Sequence, residues 1–399
     1  MTERKTSTIG NGWLWMGAAI SISEILAGTL VAPLGWQKGI LSIVIGHLIG
    51  GIFLYFAGYI GAQTRMKAMD TLKISFGRQG GTLFAVLNVL QLVGWTAVMV
   101  VNGAGALNAI MGRSGTAAIY IGSLIIGGLI LIWVLLDAKF LEKVNSTTVI
   151  ALTILCVVLT YKAFTGTASA AVAGEMTFSG AIELSIAMPI SWVPVIADYT
   201  SKAKHPVQAN RISNISYFIG SCWMFLIGMA AAIITGIADV PQLMSLLGVG
   251  VAGLLVIVFS TVTTTYLDAL SAAISFRTIF NVLTEKKIAL IVTVIGTLIA
   301  CFVPITFFDR FLYLIGSCFT PMIAILATDY FLLKRVKITS GVDWINLIIW
   351  LVGFVIYRIF LALDLVVGAS VPAIVLVVLI TYFVNRNRKK TEIISEEIM

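Results

Sequence analysis

Apolar runs of about 20 residues follow one another along nearly the whole chain, each long enough to cross the hydrocarbon core of a bilayer as a helix. Lipid offers no partner to backbone N–H and C=O groups, so a spanning segment must be a helix or part of a closed barrel. These runs are read as transmembrane helices. They fall at 13–36, 38–62, 82–111, 116–136, 144–165, 179–201, 211–237, 250–276, 288–308, 310–333, 343–362 and 366–385. The reading is an all-α polytopic membrane protein with twelve transmembrane helices. With 59% hydrophobic and 11% charged residues, no soluble domain fits between them. The longest connection expected is the loop from Gln63 to Gly81.

The net charge of +8 belongs to the connections. Basic residues mark cytoplasmic loops, so they orient the chain rather than suggest nucleic acid. With the N-terminus inside, Arg65, Lys67, Lys73, Arg78, Lys202, Lys204, Lys334, Arg335, Arg386, Arg388, Lys389 and Lys390 are cytoplasmic. Only Lys38, Arg113, Lys162, Arg310 and Arg358 are left outside. Both termini are then cytoplasmic, and the run from Trp13 is a retained first helix rather than a signal peptide. Cys156, Cys222, Cys301 and Cys318 lie within apolar spans without C-x-x-C spacing and read as core residues. His47 and His205 share no motif, which speaks against a metal site.

Two spans carry interruptions. The sixth contains Pro189 and Pro194, each lacking an N–H and clashing with the preceding turn, with Ser191 and Trp192 between them. The first holds Ser21, Ser23 and Glu24 at mid-depth. Five spans separate the two, so the segments run in opposite directions. That is the pattern of an inverted repeat, spans 1–5 against spans 6–10, with two further helices. The chain divides accordingly into a tail 1–12, a first repeat 13–165, a second repeat 179–333, two helices over 343–385, and a tail 386–399.

Polar residues inside spans are costly and mark candidate sites. Glu24 is the only carboxylate of the first span. It could bind substrate, carry a proton or hold the break together. In the third span Asn88, Gln91, Trp95, Met99 and Asn102 recur at helical spacing and form one seam, with Trp95 offering a flat face for stacking. In the eighth, Ser260, Thr264, Asp268, Ser271 and Ser275 share a face, flanked by Thr263. Hydroxyls suit a hard cation, and Asp268 suits a ligand amino group. In the tenth, Tyr313 and Ser317 are candidate gate residues. Asp329 is expected in a surface ion pair near Lys334, and the tail from Arg386 is expected to be solvated.

Three places resemble one known family, the nucleobase–cation symporters of family 1. They are Ala197-Asp198-Tyr199-Thr200-Ser201-Lys202-Ala203-Lys204 after the sixth span, Gly94-Trp95 in the third, and Thr263-Thr264-Thr265 in the eighth. Ser201-Lys202 departs from the family's Arg-Tyr, and Met99 stands where relatives often have Gln. The bacterial hydroxymethylpyrimidine permeases are the branch most alike. The resemblance implies a five-plus-five inverted repeat of the LeuT type and alternating access. It implies a multi-pass protein of the bacterial inner membrane that imports a small pyrimidine, the thiamine precursor hydroxymethylpyrimidine, with sodium. Substrate would contact Glu24, Asn88, Gln91, Trp95, Met99, Pro189, Ser191, Trp192 and Asp268. Sodium would sit between carbonyls near Ile20 and Ser23 and the hydroxyls of Ser260, Thr263 and Thr264. No other cofactor and no nucleic-acid partner is expected.

Other readings stay open on sequence alone. One is a permease for cytosine or another purine or pyrimidine base, driven by protons instead of sodium. An amino-acid carrier would want glycines at the first break, where Ser21-Ile22-Ser23-Glu24 has none. A channel explains the paired breaks less well. A membrane enzyme would want clustered His, Cys or carboxylates at an interface, and the chain shows no such cluster.

Overall fold

The computed structural model describes residues 6–136, 138–166, 172, 174–246, 248, 250–280, 282–302, 307–338 and 341–388. Residues 389–399 of the expected tail, Lys389 and Lys390 among them, and residues 1–5 lie outside these residues.

The regular elements among the described residues are all helices. Helices α1 (Thr8–Ala19) and α2 (Ile22–Val31) form the interrupted first span. They are followed by α3 (Gly35–Thr64), α4 (Ala68–Met111), α5 (Thr116–Leu135) and α6 (Ala138–Thr165). The second broken span is α7 (Phe178–Ser191) with α8 (Val193–Thr200). Then come α9 (Pro206–Thr235), a short α10 (Val240–Leu246), α11 (Gly250–Arg277), α12 (Glu285–Phe302) and α13 (Phe308–Ala327). A π turn over Thr328–Leu332 extends α13, and α14 (Trp344–Ala362) and α15 (Ser370–Asn385) finish the bundle. Eight candidate spans among the described residues are long and apolar enough to cross a membrane. The shorter apolar helices and the split first span are compatible with twelve.

The expected Gln63–Gly81 loop is a correction. Residues from Ala68 onward are helical and run into the third span through a kink at Gly77, whose φ of 80° suits glycine. Asp198 explains the start of this helix: its carboxylate accepts from Ala68 N at 2.9 Å, capping α4 from the end of α8. Arg65 ties the same two ends from the other direction, donating to the Ser201 and Ala203 carbonyls just beyond α8. Thr6 pairs with the same strip, accepting from Lys204 N at 3.0 Å. The ends of α1, α3, α4 and α8 are thereby tied together on one side of the bundle.

Small residues let the broken helices come close. A Cβ at Gly46 or Gly50 of α3 would overlap Ser185 or Pro189 of α7. Pro189 is therefore packed against α3. A buried carboxylate anchors the C-terminal helices. Glu183 of α7 accepts from Tyr357 Oη of α14 at 2.6 Å and from Ser370 N and Oγ at the start of α15, at 2.8 and 2.6 Å.

Asp329 is ion-paired with Arg335 at 3.1 Å, as expected, but it is fully buried rather than on the surface. It also accepts from Asn346 and Asn385. Nor is the tail wholly solvated, because Arg388 pairs with Asp343 at 3.0 Å.

Replacing Glu183 with alanine strands three interior donors, at a cost of about 1–3 kcal/mol for an unsatisfied buried group. The Glu183→Ala protein in detergent should unfold several degrees below wild type. An unchanged midpoint would mean that Glu183 is not an anchor.

Candidate functional site

The two breaks face α4. At the first, Ser21 adopts an extended conformation (φ −135°, ψ 157°) and its N–H turns back to the Ala19 carbonyl at 2.9 Å. The regular ladder resumes with Ile25 N to Ser21 O at 3.4 Å. At the second, Val195 and Ile196 both donate to Trp192 O, at 3.0 and 2.9 Å. Val195 N is thus turned away from the Ser191 carbonyl, its partner in a regular helix. Pro194, at the start of α8, has no N–H to offer.

The α4 seam meets those freed groups. All five of its residues are buried. Gln91 Nε2 donates to the Ser191 carbonyl at 2.8 Å and to Asn88 Oδ1 at 2.7 Å. Asn88 Nδ2 donates to Ser275 Oγ of α11 at 2.7 Å and, at 3.4 Å, to the Pro194 carbonyl. Higher up, Ser23 Oγ of the first break donates to Met99 Sδ at 2.9 Å, and Asn102 Nδ2 donates to Ser23 Oγ at 3.4 Å. The seam thus touches both breaks and α11.

Several buried polar groups in this region stay unpaired, Trp15 Nε1 and Thr261 Oγ1 among them. Gln91 Oε1 is buried without a hydrogen-bond partner. Asp268 of α11 is buried, and no described side chain donates to it. Their relative height follows from the antiparallel packing of α4 and α11. Asn88 bonds Ser275, and a Cβ at Gly103 would touch Thr261. By that register Asp268 lies level with Trp95, on the face of α11 between those two contacts. Gln91 is about one turn away on α4. An unpaired amide oxygen and an unpaired carboxyl therefore lie within about one turn of the tryptophan. Trp95 packs edge-on against Phe308 and Phe311 of α13, with ring centroids 5.9 and 5.5 Å away. Tyr199 of α8 reaches the same face of α11, its hydroxyl 3.3 Å from Ser271 Oγ.

Other expected residues are placed differently. Glu24 turns from the seam to α9, accepting from Tyr217 and Ser221. Trp192 is half-buried and packs edge-on against Trp15, 5.4 Å away, and Tyr217, 6.3 Å away. Ser191 Oγ bonds its own helix at Met188 O, so its contribution is the carbonyl. Tyr313 donates to the Gly180 carbonyl at 3.2 Å and links α13 to the start of α7, while Ser317 bonds back to Tyr313 O. Of the expected cation ligands, Ile20 and Ser260 line one narrow cavity together with Ser21. Thr263 donates to Ser260 O at 2.9 Å, Thr264 is only half-buried, and Ser23 Oγ turns to Met99 Sδ; none of the three lines that cavity. Sequence reasoning missed Glu183, Tyr217, Ser221 and the partnership of His47 with Ser221.

Gln91→Leu removes the donor to the Ser191 carbonyl and leaves it bare, costing about 1–3 kcal/mol. The expected result is a lower unfolding midpoint in detergent. A wild-type midpoint would mean the break is satisfied in another way.

The fold is shared with solved transporters. The inward-facing conformation of Mhp1 matches with a TM-score of 0.75 at 20% identity, covering 96% of this chain and 91% of that one. Mhp1 in a closed conformation with bromovinylhydantoin bound matches at 0.72 and 21%, covering 96% and 93%. Its description places it in the nucleobase-cation-symport-1 family. Among curated relatives, the cytosine permease of Escherichia coli K12 is 26% identical over 322 residues, 79% of this chain and 75% of that protein. The hydantoin permease of Microbacterium maritypicum is 23% identical over 89% of this chain and 81% of its own length. Residues 1–385 match the family described as permease for cytosine/purines, uracil, thiamine and allantoin. With that match spanning nearly the whole chain, this protein belongs to that family and is a membrane transporter, not an enzyme.

Proposed function

We propose that this chain imports a small pyrimidine bearing an exocyclic amino group, driven by a sodium gradient across the bacterial inner membrane, with both termini in the cytoplasm. The observation that carries the reading is the pair of unpaired acceptors, Gln91 Oε1 and the Asp268 carboxyl, within about one turn of Trp95. A flat heterocycle gains stacking from the indole. Buried acceptors without protein donors favour a ligand that brings its own, because each unpaired group is costly when left alone. An amino group on the ring is such a donor. Hydroxymethylpyrimidine is the first substrate we assign, and cytosine the second, favoured by the likeness to a cytosine permease. The coupling ion is assigned to the first break and α11, beside Ser21 and Ser260, whose shared cavity is otherwise lined by aliphatic and sulfur side chains. Thr263 and Thr264, one turn along α11, would complete its oxygen shell after a small rearrangement. Sodium takes oxygen ligands of this kind, as hard cations do.

Uptake of labelled hydroxymethylpyrimidine into proteoliposomes tests the reading. Sodium-dependent uptake that resists excess cytosine supports the first substrate. Uptake that cytosine blocks transfers the assignment to cytosine, and no uptake of either overturns it.

Two variants separate the parts. Trp95→Ala should abolish substrate binding in a folded protein; wild-type affinity would take Trp95 out of the site. Thr264→Ala should weaken the sodium response more than binding at saturating sodium. An unchanged sodium response would move the ion elsewhere.

A further inference from the structure

Helix α4 is itself broken. Gly77 (φ 80°, ψ 167°) divides a short strut, residues 68–76, from the long part that carries the seam. In an unbroken helix Gln79 N would donate to the Ser75 carbonyl. Here Gln79 N turns to the Gly341 carbonyl at 3.0 Å, and the carbonyls freed at the end of the strut are met from the start of α14. Asn346 Nδ2 donates to the Ser75 carbonyl at 2.7 Å, and Asp343 N donates to the Phe76 carbonyl at 2.9 Å. The approach is close: a Cβ on Gly77 would lie 2.5 Å from the Gly341 carbonyl oxygen. The other end of the strut is capped by Asp198 of α8. With both ends of the strut held, motion of the long part is left to Gly77.

Asn346 is one member of a knot of polar side chains at the foot of the C-terminal helices. It is fully buried, as are Asp329 and Asn385. Asn346 Nδ2 also donates to Asp329 Oδ2 at 2.9 Å, and Asn385 Nδ2 donates to Asn346 Oδ1 at 2.7 Å. Arg388 closes the knot just beyond α15, donating to Asn385 Oδ1 at 2.7 Å and to Asp343 Oδ1 at 3.0 Å. Arg335 closes it from the end of α13, donating to Asp329 Oδ1 and to the Arg388 carbonyl, each at 3.1 Å. Buried groups linked in this way hold one another in place, because the loss of one partner leaves others unpaired.

The same two helices hold the second broken span near their other ends, where Tyr357 and Ser370 donate to Glu183 of α7. From Ser370 to Asn385 α15 rises about 22 Å, so the two attachments lie far apart along one pair of helices. We propose that α14 and α15 brace the transport machinery, fixing α7 at Glu183 and the strut at Asn346, and that Gly77 is the hinge at which the seam-bearing part of α4 moves against them. A transporter must open its site to each side in turn. A glycine changes its backbone angles without a Cβ penalty, which suits a hinge. None of the groups assigned to substrate or ion comes from α14 or α15, so Asn346 and Arg388 are positioning residues.

Arg388→Ala supplies the test, because Arg388 is only partly buried and its loss spares the centre of the knot. Spin labels on Lys73→Cys in the strut, Leu90→Cys in the long part of α4 and Ile348→Cys in α14 report distances in the full protein without any ligand. Leu90 and Ile348 are exposed, and Lys73 is partly so. The Lys73–Ile348 distance should be narrowly distributed, and Leu90–Ile348 should spread over more than one distance. Equal widths for the two pairs overturn the hinge. Arg388→Ala should broaden Lys73–Ile348, and Arg388→Lys, which keeps a donor for Asp343, should narrow it again. A narrow Lys73–Ile348 distribution in Arg388→Ala overturns the brace.

Uptake of labelled cytosine separates positioning from binding. In Arg388→Ala the maximal rate should fall by between about two- and thirtyfold, the range for a residue that couples at a distance, while equilibrium affinity for cytosine stays at the wild-type value. Arg388→Lys should recover most of the rate. A wild-type rate in Arg388→Ala, or a loss confined to affinity, overturns the positioning role. If wild type takes up no cytosine, the substrate reading fails, and the ligand-free distances still support or overturn the brace and its hinge.

Discussion

A backbone carbonyl freed inside a membrane has no water to turn to, and most of this molecule's polar placement answers that constraint. The proline-rich stretch of the second broken span frees the Ser191 carbonyl, and Gln91 reaches across from α4 to meet it at 2.8 Å. Asn88 does the same, more weakly, for Pro194 while also holding Ser275 of α11. One pair of amides thus ties a broken helix, a straight helix and the helix opposite into one unit. The arrangement leaves Gln91 Oε1 and Asp268 without donors. These unpaired acceptors are where we propose a donor-bearing ligand binds.

The intramembrane carboxyls divide by their neighbours. Glu183 receives three hydrogen bonds from the C-terminal helices and serves as an anchor. Glu24 accepts from Tyr217 and Ser221 and holds the first break to α9. Asp268 has no donor among the described side chains and lies on the face of α11 turned to the seam. Carboxyls at similar burial therefore do three kinds of work, and partner geometry decides which.

Much of this was legible in the chain. Run length gave helices crossing a bilayer, and the prolines and the Ser-Glu segment gave the two breaks. Helical spacing put Asn88, Gln91, Trp95, Met99 and Asn102 on one buried face, as observed. Periodicity says which residues share a face, but not which neighbour that face meets. That is why Glu24, expected beside substrate, turned out to face α9, and why Pro189 was found against α3. The helical start of α4 was missed because its cap, Asp198, comes from another span. His47 looked isolated for the same reason: its partner Ser221 is 174 residues away. Glu183 was in plain sight, since the rule that singles out Glu24 applies to it equally. Tyr217 and Ser221 share a helix face at four-residue spacing, a signal that periodicity could have supplied.

The central claim is that substrate lies against Trp95 beside the two unpaired acceptors. A structure of the protein with cytosine bound tests it most directly. The account predicts the ring stacked on the Trp95 indole, with its amino group directed to Gln91 Oε1 or the Asp268 carboxyl. A ring bound beside Glu24 and Tyr217, with Gln91 Oε1 and Asp268 still unpaired, would contradict it.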